Sequence, residues 1–531
     1  MSGQRHVRVF NINKAIGLAS SGVEYAQKYR RQVFAGMPGV EDHYVFTDYI
    51  GTNLSVFSDR LGFDRAQVLW IYHLLSGRET APCTLSVERF LAMIGQPHAA
   101  PQTHPDRVEI ALTDSAVRHR IRTVEAPGGG QVVDRVETWA GEQLVRVEHY
   151  DTTLNNVEHF HENRLVRRVF HTAEGRVAAE QHYRDREITR TVITPASPLH
   201  QDRTVRRGRA VPSSFRGDVV LEGRSAFFRF VFAALLSRAD DVVIVDRALD
   251  VIDGLYPVIG DHRLYSTVHA EHFDLKQVED GVLLWNNHYE NVFTRPDLVD
   301  GFIVSTRRQQ EVLAAQLAAR HPDGGAPVVR IPVGVVERPA PAPRYDRFAL
   351  VTASRLADEK HLDVLVRAVA TARRTVPELR LDIYGEGNRE PLLAVIAETG
   401  TEDCVRLMGH QRLEGLLGPY GLYVSASTSE GFGLSLLEAI AEGLPIVGFD
   451  VDYGNREMVD PGRNGRLLPY ALGDLEELAG SVTGFAQAIV EVVTSADLDR
   501  MRRHSLAKAE AYTVERVREQ WARLLGEEAA C

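Results

Sequence analysis

Cysteine is scarce in this sequence. The chain of 531 residues holds three cysteines, Cys83, Cys404 and Cys531, and they lie far apart. Such spacing offers neither the close pairs of a zinc site nor the framework of a disulfide-rich secreted domain. The cysteine content therefore predicts a protein of the reducing cytoplasm, without structural disulfides or a cysteine-bound metal.

The sequence also lacks long hydrophobic runs and an excess of positive charge. Its most apolar stretch, residues 226–236, is short and is interrupted by Arg229, so a buried helix is expected there rather than a membrane span. The first residues lead into a strand without an apolar signal segment. With 61 Lys and Arg against 72 Asp and Glu, the net charge is −11, which argues against a general nucleic-acid-binding protein.

What is present is an ordinary globular composition. Apolar residues make up 44% of the chain and charged residues 25%, which is typical of soluble domains. A length of 531 residues exceeds what one hydrophobic core supports, so two or three domains are expected. Buried strand runs followed by loops and apolar-periodic helices, such as 348–353 before 362–372, predict an α/β fold with Rossmann-like domains.

A different pattern occupies the segment from about Pro105 to Thr194. Helical periods are few there, and short stretches of alternating polar and apolar residues are separated by turn-like sequences. Tyr150, Phe160 and Phe170 recur at intervals of ten residues, as in successive hairpins. The alternation predicts an extended antiparallel sheet, inserted into the first Rossmann-like domain, whose edges and faces are open to partners.

The most informative motif is the segment 429–438, Ser-Glu-Gly-Phe-Gly-Leu-Ser-Leu-Leu-Glu. A strand end precedes it and a helix follows, so it lies at the edge of a parallel sheet where α/β proteins bind ligands. The start of such a helix favours a phosphate group. Glu430 and Glu438 are a little over two helical turns apart, so they can reach two different parts of one ligand.

A second motif joins another strand to another helix. Arg355 and Lys360 emerge from one loop between the predicted strand 348–353 and the predicted helix 362–372. A guanidinium and an ammonium group suit an anionic ligand such as a phosphate. The two motifs together predict an acidic pair and a cationic pair at the edge of one parallel sheet.

These motifs resemble the E-x7-E and S/G-R-x4-K elements of retaining GT-B glycosyltransferases of family 4. The resemblance implies two Rossmann-like domains facing a cleft, with the UDP-sugar donor held mostly by the second domain. It implies that Glu430 acts in catalysis beside the donor sugar, that Glu438 holds the ribose, and that Arg355 and Lys360 neutralise the diphosphate without a metal. The intervening amides would meet the sugar or diphosphate, at Phe432, Gly433 and Leu434.

Three further positions follow from the same resemblance. His410 follows a predicted strand at the place where the backbone of family members reads the nucleobase. Gly17 lies in the loop after the first strand, where a glycine lets the backbone approach the donor diphosphate and the acceptor. His269 directly follows a buried strand and matches a catalytic histidine that contacts the donor sugar or the reacting hydroxyl, and its neighbour His272 is the alternative for that role.

The segments 10–13 and 17–26, together with the sheet insertion, are similar to a narrower group, the GtfA family. Its members are catalytic subunits of the bacterial O-GlcNAc transferase that glycosylates serine-rich repeat adhesins of the accessory Sec pathway. This resemblance implies a cytoplasmic enzyme that transfers GlcNAc from UDP-GlcNAc to Ser/Thr hydroxyls of a protein, with retention of the anomeric configuration. It also implies a similarly folded, non-catalytic co-subunit, for which a homo-oligomer is the alternative, and docking of substrate or partner on the sheet.

Two other functions are compatible with these residues. The acceptor could be a polyol-phosphate polymer such as wall teichoic acid, because arginines that suit a polyanion cluster in the insertion, at Arg164, Arg167, Arg168, Arg184 and Arg186. The chain could also be a non-catalytic binding subunit, although the intact acidic and cationic motifs argue against that. The donor sugar is open between GlcNAc and glucose, and peripheral contact with a membrane surface is compatible with each function.

No cofactor and no metal are expected. The one Asp-x-Asp considered in the second domain, Asp450 to Asp452, follows the helix that carries Glu438 instead of ending a strand beside the donor. The predicted organisation is a first Rossmann-like part at 1–80, the sheet insertion at 81–210, a second Rossmann-like part at 211–335, the nucleotide-sugar-binding domain at 345–500, and a C-terminal helix at 501–531.

Overall fold

The computed structural model describes residues 6–16, 22–126, 128–201, 217–274, 283–322, 324–342, 344–470 and 475–526. The chain divides into two compact units. The first consists of Met1–Glu24, Gly39–Ser266 and Leu298–Asp300, and the second of Tyr25–Pro38, Thr267–Asp297 and Gly301–Cys531. Helices and strands are labelled in chain order.

The first unit contains a parallel sheet of Rossmann type. Its strands are β1 (Val7–Asn13), β2 (Val40–Phe46), β3 (Val68–Trp70), β14 (Val242–Val245) and β15 (Arg263–Val268). They lie in the order β15-β14-β1-β2-β3, and each neighbouring pair is parallel. All four residues of β14 are buried, as expected of a parallel strand that is covered on both faces.

The predicted antiparallel sheet is also in the first unit. It has ten strands: β4 (Gln102–His104), β5 (Arg107–Ala111), β6 (Val117–Glu125), β7 (Gln131–Ala140), β8 (Gln143–Tyr150), β9 (Leu154–His161), β10 (Arg164–His171), β11 (Val177–Arg184), β12 (Glu187–Ile193) and β13 (Val219–Glu222). Their order across the sheet is the order of the chain, from β4 to β13.

Tight turns set the register of this sheet. Two-residue turns join β9 to β10 and β11 to β12, and all four turn residues have positive φ angles: Glu162, Asn163, Asp185 and Arg186. Positive φ at both central positions matches the right-handed twist of the flanking strands. The alternating pattern read from the sequence is therefore realised as consecutive hairpins.

The helices of the first unit pack on both sheets. They are α2 (Leu54–Leu61), α3 (Ile71–Ser76), α4 (Val87–Ile94), α5 (Pro198–Gln201), α6 (Gly223–Leu235) and α7 (Ile252–Ile259). The helix expected at 226–236 is thus present as α6. Helix α1 (Gly22–Phe34) begins in the first unit and continues into the second.

A buried arginine after α3 binds the ends of several antiparallel strands. Arg78 Nη1 lies 2.6 Å from Asp151 Oδ1, and both side chains are 3% exposed. The same guanidinium donates to four further oxygens at the ends of the antiparallel strands, namely Thr153 Oγ1 and the carbonyl oxygens of Leu154, His171 and Thr172. Five acceptors on one planar donor group hold the segment after α3 against the ends of the antiparallel strands.

The second unit contains a six-stranded parallel sheet. Its strands are β18 (Asp346–Ala353), β19 (Arg380–Tyr384), β20 (Val405–Gly409), β21 (Tyr420–Ser425), β22 (Ile446–Phe449) and β23 (Gly465–Leu468). Their order, β20-β19-β18-β21-β22-β23, reverses direction between β18 and β21. Open α/β sheets bind ligands at the carboxyl ends of the strands beside such a reversal. Two further strands of this unit, β16 (Gly301–Val304) and β17 (Val328–Arg330), are paired in parallel.

Helices cover both faces of the six-stranded sheet. One core joins it to α10 (Leu362–Ala372), α11 (Glu390–Thr399) and α14 (Leu475–Thr494), and the other joins it to α12 (Leu434–Ala441). The remaining helices of the unit are α8 (Glu290–Phe293), α9 (Arg307–Arg320), α13 (Gly454–Met458), α15 (Leu498–Ala509) and α16 (Val514–Leu525). None of the helices in the described part of the chain is long and apolar enough to cross a lipid bilayer.

The C-terminal segment differs from the single helix expected there. It forms α15 and α16, separated by a 3-10 turn at Glu510–Tyr512. The chain leaves the helical conformation at Thr513, whose φ and ψ angles are −65° and 153°, and the backbone of Val336 exchanges hydrogen bonds with Tyr512 and Val514. This strand-like pairing replaces the helical hydrogen bonds at the break.

Candidate functional site

The ends of β18 and β21 bring two predicted site residues into contact. Lys360 ends a 3-10 turn that follows β18, and Glu430 lies in the loop that follows β21. Lys360 Nζ donates to Glu430 Oε2 at 2.9 Å and to Ser427 Oγ at 3.0 Å. The side chains of Lys360 and Glu430 are 15% and 23% exposed, so the pair is partly shielded from water and open to a ligand.

The backbone of Glu430 is held as firmly as its carboxylate. Its carbonyl oxygen accepts hydrogen bonds from the amides of Tyr453, at 3.1 Å, and Gly454, at 2.8 Å. The next residue, Gly431, lies so close to the chain after β15 that an added Cβ would be 2.3 Å from the carbonyl oxygen of His269. Position 431 therefore requires glycine because a neighbouring backbone occupies the space of a side chain.

The start of α12 follows directly. Gly433 has a φ angle of 81° and precedes the first helical residue, Leu434. Phe432 is 4% exposed, and its ring packs at 5.9 Å from that of Tyr512. The predicted donor-binding segment thus contains a buried aromatic ring directly before a helix start, whose first amides have no partner within the helix.

Glu438 lies further along α12, in an environment different from that of Glu430. Tyr29, on helix α1, donates its hydroxyl to Glu438 Oε1 at 3.1 Å. Burial is the main cause that raises the pKa of Glu438 to about 7, and the neighbouring Glu442 and Glu414 add to it. Near neutral pH this carboxyl group is poised between its two protonation states, and hydrogen-bond donors from a ligand would favour the ionised one.

The raised pKa of Glu438 makes a prediction about stability. The folded protein holds this proton up to about pH 7, whereas the unfolded chain releases it near pH 4.5, so this group lowers stability as pH rises through that interval. The shift corresponds to about 3 kcal/mol, which partial exposure reduces to about 1–2 kcal/mol. We expect Glu438→Gln to raise the free energy of unfolding by that amount at pH 8 and very little at pH 4.5, as measured by urea denaturation.

The neighbouring carboxylate, Glu442, offers a comparison in which a backbone hydrogen bond is lost. Glu442 accepts backbone amides from Gly415 at 2.8 Å and from Gly418 at 2.5 Å, one on each oxygen. Burial raises the pKa of Glu442 as well, but a glutamine has only one acceptor oxygen, so Glu442→Gln loses one of these hydrogen bonds and should be less stable at pH 8 than Glu438→Gln. An equal gain at both pH values for Glu438→Gln would contradict the assigned titration.

Arg355 does not join the contact between Lys360 and Glu430. It lies in the same loop, but its guanidinium pairs with Glu359 at 2.8 Å and is 74% exposed. The chain after β19 packs closely against this loop. A Cβ on Gly385 would lie 1.8 Å from the carbonyl oxygen of Ser354, so only glycine fits there. Both cations lie in one loop, as the sequence predicts, but Arg355 pairs with Glu359 and Lys360 pairs with Glu430.

Of the other predicted residues, His269 lies beside the Glu430 loop, because its carbonyl oxygen is the atom that a Cβ on Gly431 would approach. His269 is partly buried, and its backbone amide donates to the hydroxyl of Tyr289 at 3.0 Å. Its neighbour His272 is fully buried instead. His410 is exposed directly after β20, and Gly17 lies outside the described residues.

Three residues of the site were missed by sequence reasoning. Ser427 precedes the acidic motif by three positions, and its place at a strand end was the available signal. Tyr29 is 409 positions from Glu438, so local sequence carries no sign of their contact. Tyr453 follows the Asp-x-Asp of residues 450–452, and no motif in the sequence marks it as a site residue.

Known proteins show the same organisation. Residues 347–494 match the family model "Glycosyl transferases group 1". The UDP-N-acetylglucosamine–peptide N-acetylglucosaminyltransferase GtfA subunit of Streptococcus pneumoniae serotype 4 is 33% identical over 526 residues, covering 98% of this chain and 99% of that protein. The crystal structure of pneumococcal O-GlcNAc transferase GtfA in complex with UDP and GlcNAc superimposes with a TM-score of 0.86 at 32% identity, covering 98% of this chain and 99% of that one.

A second crystal structure, of a GtfA/B complex, gives a TM-score of 0.84 at 32% identity, covering 98% of this chain and 99% of that one. These likenesses extend over both units and the ten-stranded sheet, and they confirm the predicted α/β GT-B class with its sheet insertion. The chain belongs to the GtfA family of group 1 glycosyltransferases.

Proposed function

We propose that this glycosyltransferase moves GlcNAc from UDP-GlcNAc to Ser/Thr hydroxyls of a protein acceptor and retains the anomeric configuration. The full-length likeness to the pneumococcal GtfA subunit carries the proposal. The contact between Lys360 and Glu430 at the reversal of the six-stranded sheet supports it, because an intact cation–carboxylate pair there is unexpected in a purely structural subunit.

The proposed roles follow from the chemistry of each group. Lys360 neutralises the diphosphate as it leaves, and Arg355 exchanges Glu359 for a phosphate oxygen when the donor binds. Glu430 orients the sugar and stabilises positive charge at its anomeric carbon. Glu438, in its ionised form, accepts the ribose hydroxyls. The acceptor hydroxyl attacks from the face that the diphosphate leaves, and a diphosphate oxygen takes its proton.

The close approach at Gly431 makes a prediction about catalysis. We expect Gly431→Ala to lower kcat about tenfold, because the added methyl group must displace either the Glu430 loop or the chain at His269. A Cβ on Gly51 would meet nothing within 4 Å, so Gly51→Ala is the matched control. Equal initial rates of transfer for the two variants would show that the loop tolerates the shift.

The reaction itself is tested by mass spectrometry of acceptor products. The purified chain, with and without a co-expressed homologous subunit, is incubated with UDP-GlcNAc or UDP-glucose and a Ser/Thr-rich peptide. A mass increase of one N-acetylhexosamine on the peptide, with an α-linkage by NMR, is the expected result. Transfer to a polyol-phosphate polymer instead of the peptide would assign the alternative acceptor, and absence of both transfer and donor hydrolysis would identify a binding subunit.

We also propose that transfer needs no metal ion. The acidic residues of the Asp450–Asp452 segment are occupied by a cation of the chain itself, since Arg456 lies 2.6 Å from Asp450 Oδ1 and 2.6 Å from Asp452 Oδ1. Two cationic side chains in the loop after β18 supply the charge that a metal would supply to the diphosphate. We expect the rate of transfer to be unchanged in excess EDTA, and a loss that Mn²⁺ or Mg²⁺ restores would refute the proposal.

Partners and location are proposed on the same basis. The GtfA/B complex is formed by a protein 32% identical to this chain, which supports a homologous co-subunit here. The two cysteines in the described part of the chain, Cys83 and Cys404, are free and buried, and this supports the cytoplasmic location predicted from the sequence. Size-exclusion chromatography of the co-expressed subunits tests the first proposal directly.

A further inference from the structure

A buried histidine connects helix α9 to the segment that holds Glu430. His272 is 0% exposed. Its Nε2 lies 2.8 Å from Gln316 Oε1 on α9, and its Nδ1 lies 3.4 Å from the hydroxyl of Tyr453. Because an amide oxygen can only accept, Nε2 carries the hydrogen, and Nδ1 is left to accept the hydroxyl of Tyr453.

The ring is held in this state by its surroundings. Burial lowers the pKa of His272 to about 4, so the imidazole is neutral at pH 7 and keeps one hydrogen. It stacks on the ring of Tyr453 with centroids 5.8 Å apart and an angle of 29° between the planes. Stacking and the single hydrogen bond from its hydroxyl to His272 orient the Tyr453 side chain, which is 2% exposed.

The backbone of the same tyrosine reaches the Glu430 loop. The amide of Tyr453 donates to the carbonyl oxygen of Glu430 at 3.1 Å, and the next amide, of Gly454, donates to it at 2.8 Å. The carboxylate of Glu430 is held separately by Lys360. The ion pair with Lys360 restrains only the carboxylate of Glu430. The two hydrogen bonds to its carbonyl oxygen also restrain the backbone, and so they determine the position of its Cα.

We propose that Gln316, His272 and Tyr453 form a positioning relay that sets the place of Glu430 for the transfer step. The inference rests on the proposed function of Glu430 as the residue beside the donor sugar. It assigns to His272 a task different from substrate contact, and it predicts that the relay affects the chemical step more than the binding of the nucleotide, which involves Glu438 on α12.

Two variants separate this role from simple stability. His272→Phe keeps an aromatic ring and removes both hydrogen bonds, and Tyr453→Phe removes the weaker bond alone. We expect kcat to fall about tenfold in the first and about threefold in the second, with the KM for UDP-GlcNAc changed less than about twofold. The control is Tyr420→Phe, which removes a buried hydroxyl bonded to Asp382 Oδ2 at 2.6 Å and should lower Tm without changing kcat.

A second measurement tests the relay independently of turnover. Hydrogen exchange followed by mass spectrometry should show faster exchange of the Tyr453 and Gly454 amides in His272→Phe than in Tyr420→Phe. Unchanged exchange at these amides would overturn the relay, even if the chain transferred no sugar. A wild-type kcat in His272→Phe and Tyr453→Phe would also overturn the relay. If the wild-type chain transferred no sugar but the variants showed the expected exchange pattern, the proposed function would be refuted and the relay would stand.

Discussion

Lys360→Ala is expected to lower the rate of sugar transfer by about a hundredfold to a thousandfold, the usual cost of losing one donor that stabilises developing negative charge. The ammonium group holds Glu430 in the resting protein and would neutralise the diphosphate as the sugar departs. The loss should appear in kcat at saturating UDP-GlcNAc, measured by release of UDP.

The chain provides a matched control for this substitution. Lys508 also forms a salt bridge with a carboxylate, to Asp460 Oδ1 at 2.8 Å, and is 18% exposed against 15% for Lys360. Lys508→Ala should therefore cost similar stability and leave turnover near the wild-type value. If Lys360→Ala kept more than about half of the wild-type kcat, the assignment of the diphosphate position would be wrong.

Arg78→Ala is expected to lower the free energy of unfolding by about 3–5 kcal/mol, because it leaves Asp151 as a buried charge without its partner. The four other oxygens that accept from the guanidinium also lose their donor. The loss should be measurable as a lower urea midpoint, followed by circular dichroism at pH 7.

Arg122→Ala is the comparison for Arg78. Arg122 also bridges two carboxylates, Asp106 and Glu137, but it lies on the antiparallel sheet with 26% of its side chain exposed. Exposed pairs of this kind contribute about 0–1 kcal/mol. Similar urea midpoints for the two variants would mean that the contacts of Arg78 add little to the stability of the first unit.

Secondary structure could be predicted from the sequence where an element was long enough for its pattern of polar and apolar residues to repeat. Strands β7 to β12 are seven to ten residues long, enough for alternation to be recognised, and the two Rossmann-like sheets were marked by buried runs before helices. Strand β13 has four residues, which is too short to show a period. The break at Thr513 depends on pairing with Val336, a contact that local propensity does not encode.

The candidate site was predictable to the same extent. Lys360 and Glu430 could be brought together from sequence because each follows a strand next to the reversal of the sheet. The direction in which a long side chain points could not be predicted from sequence, and Arg355 pairs with Glu359 instead of Glu430. The contacts of Tyr29 with Glu438 and of His272 with Tyr453 span 409 and 181 positions, so they arise only once the chain has folded.

The ten antiparallel strands lie side by side in their chain order. The strand pairs from β4 to β12 are therefore closed over short loops, whereas β13 follows a longer connection; short closures favour quick folding and make the sheet modular in the manner of a repeat protein. Excising one hairpin would leave the flanking strands antiparallel and free to pair with each other. Gain or loss of two strands would therefore lengthen or shorten this sheet without changing the antiparallel pairing of the strands that remain.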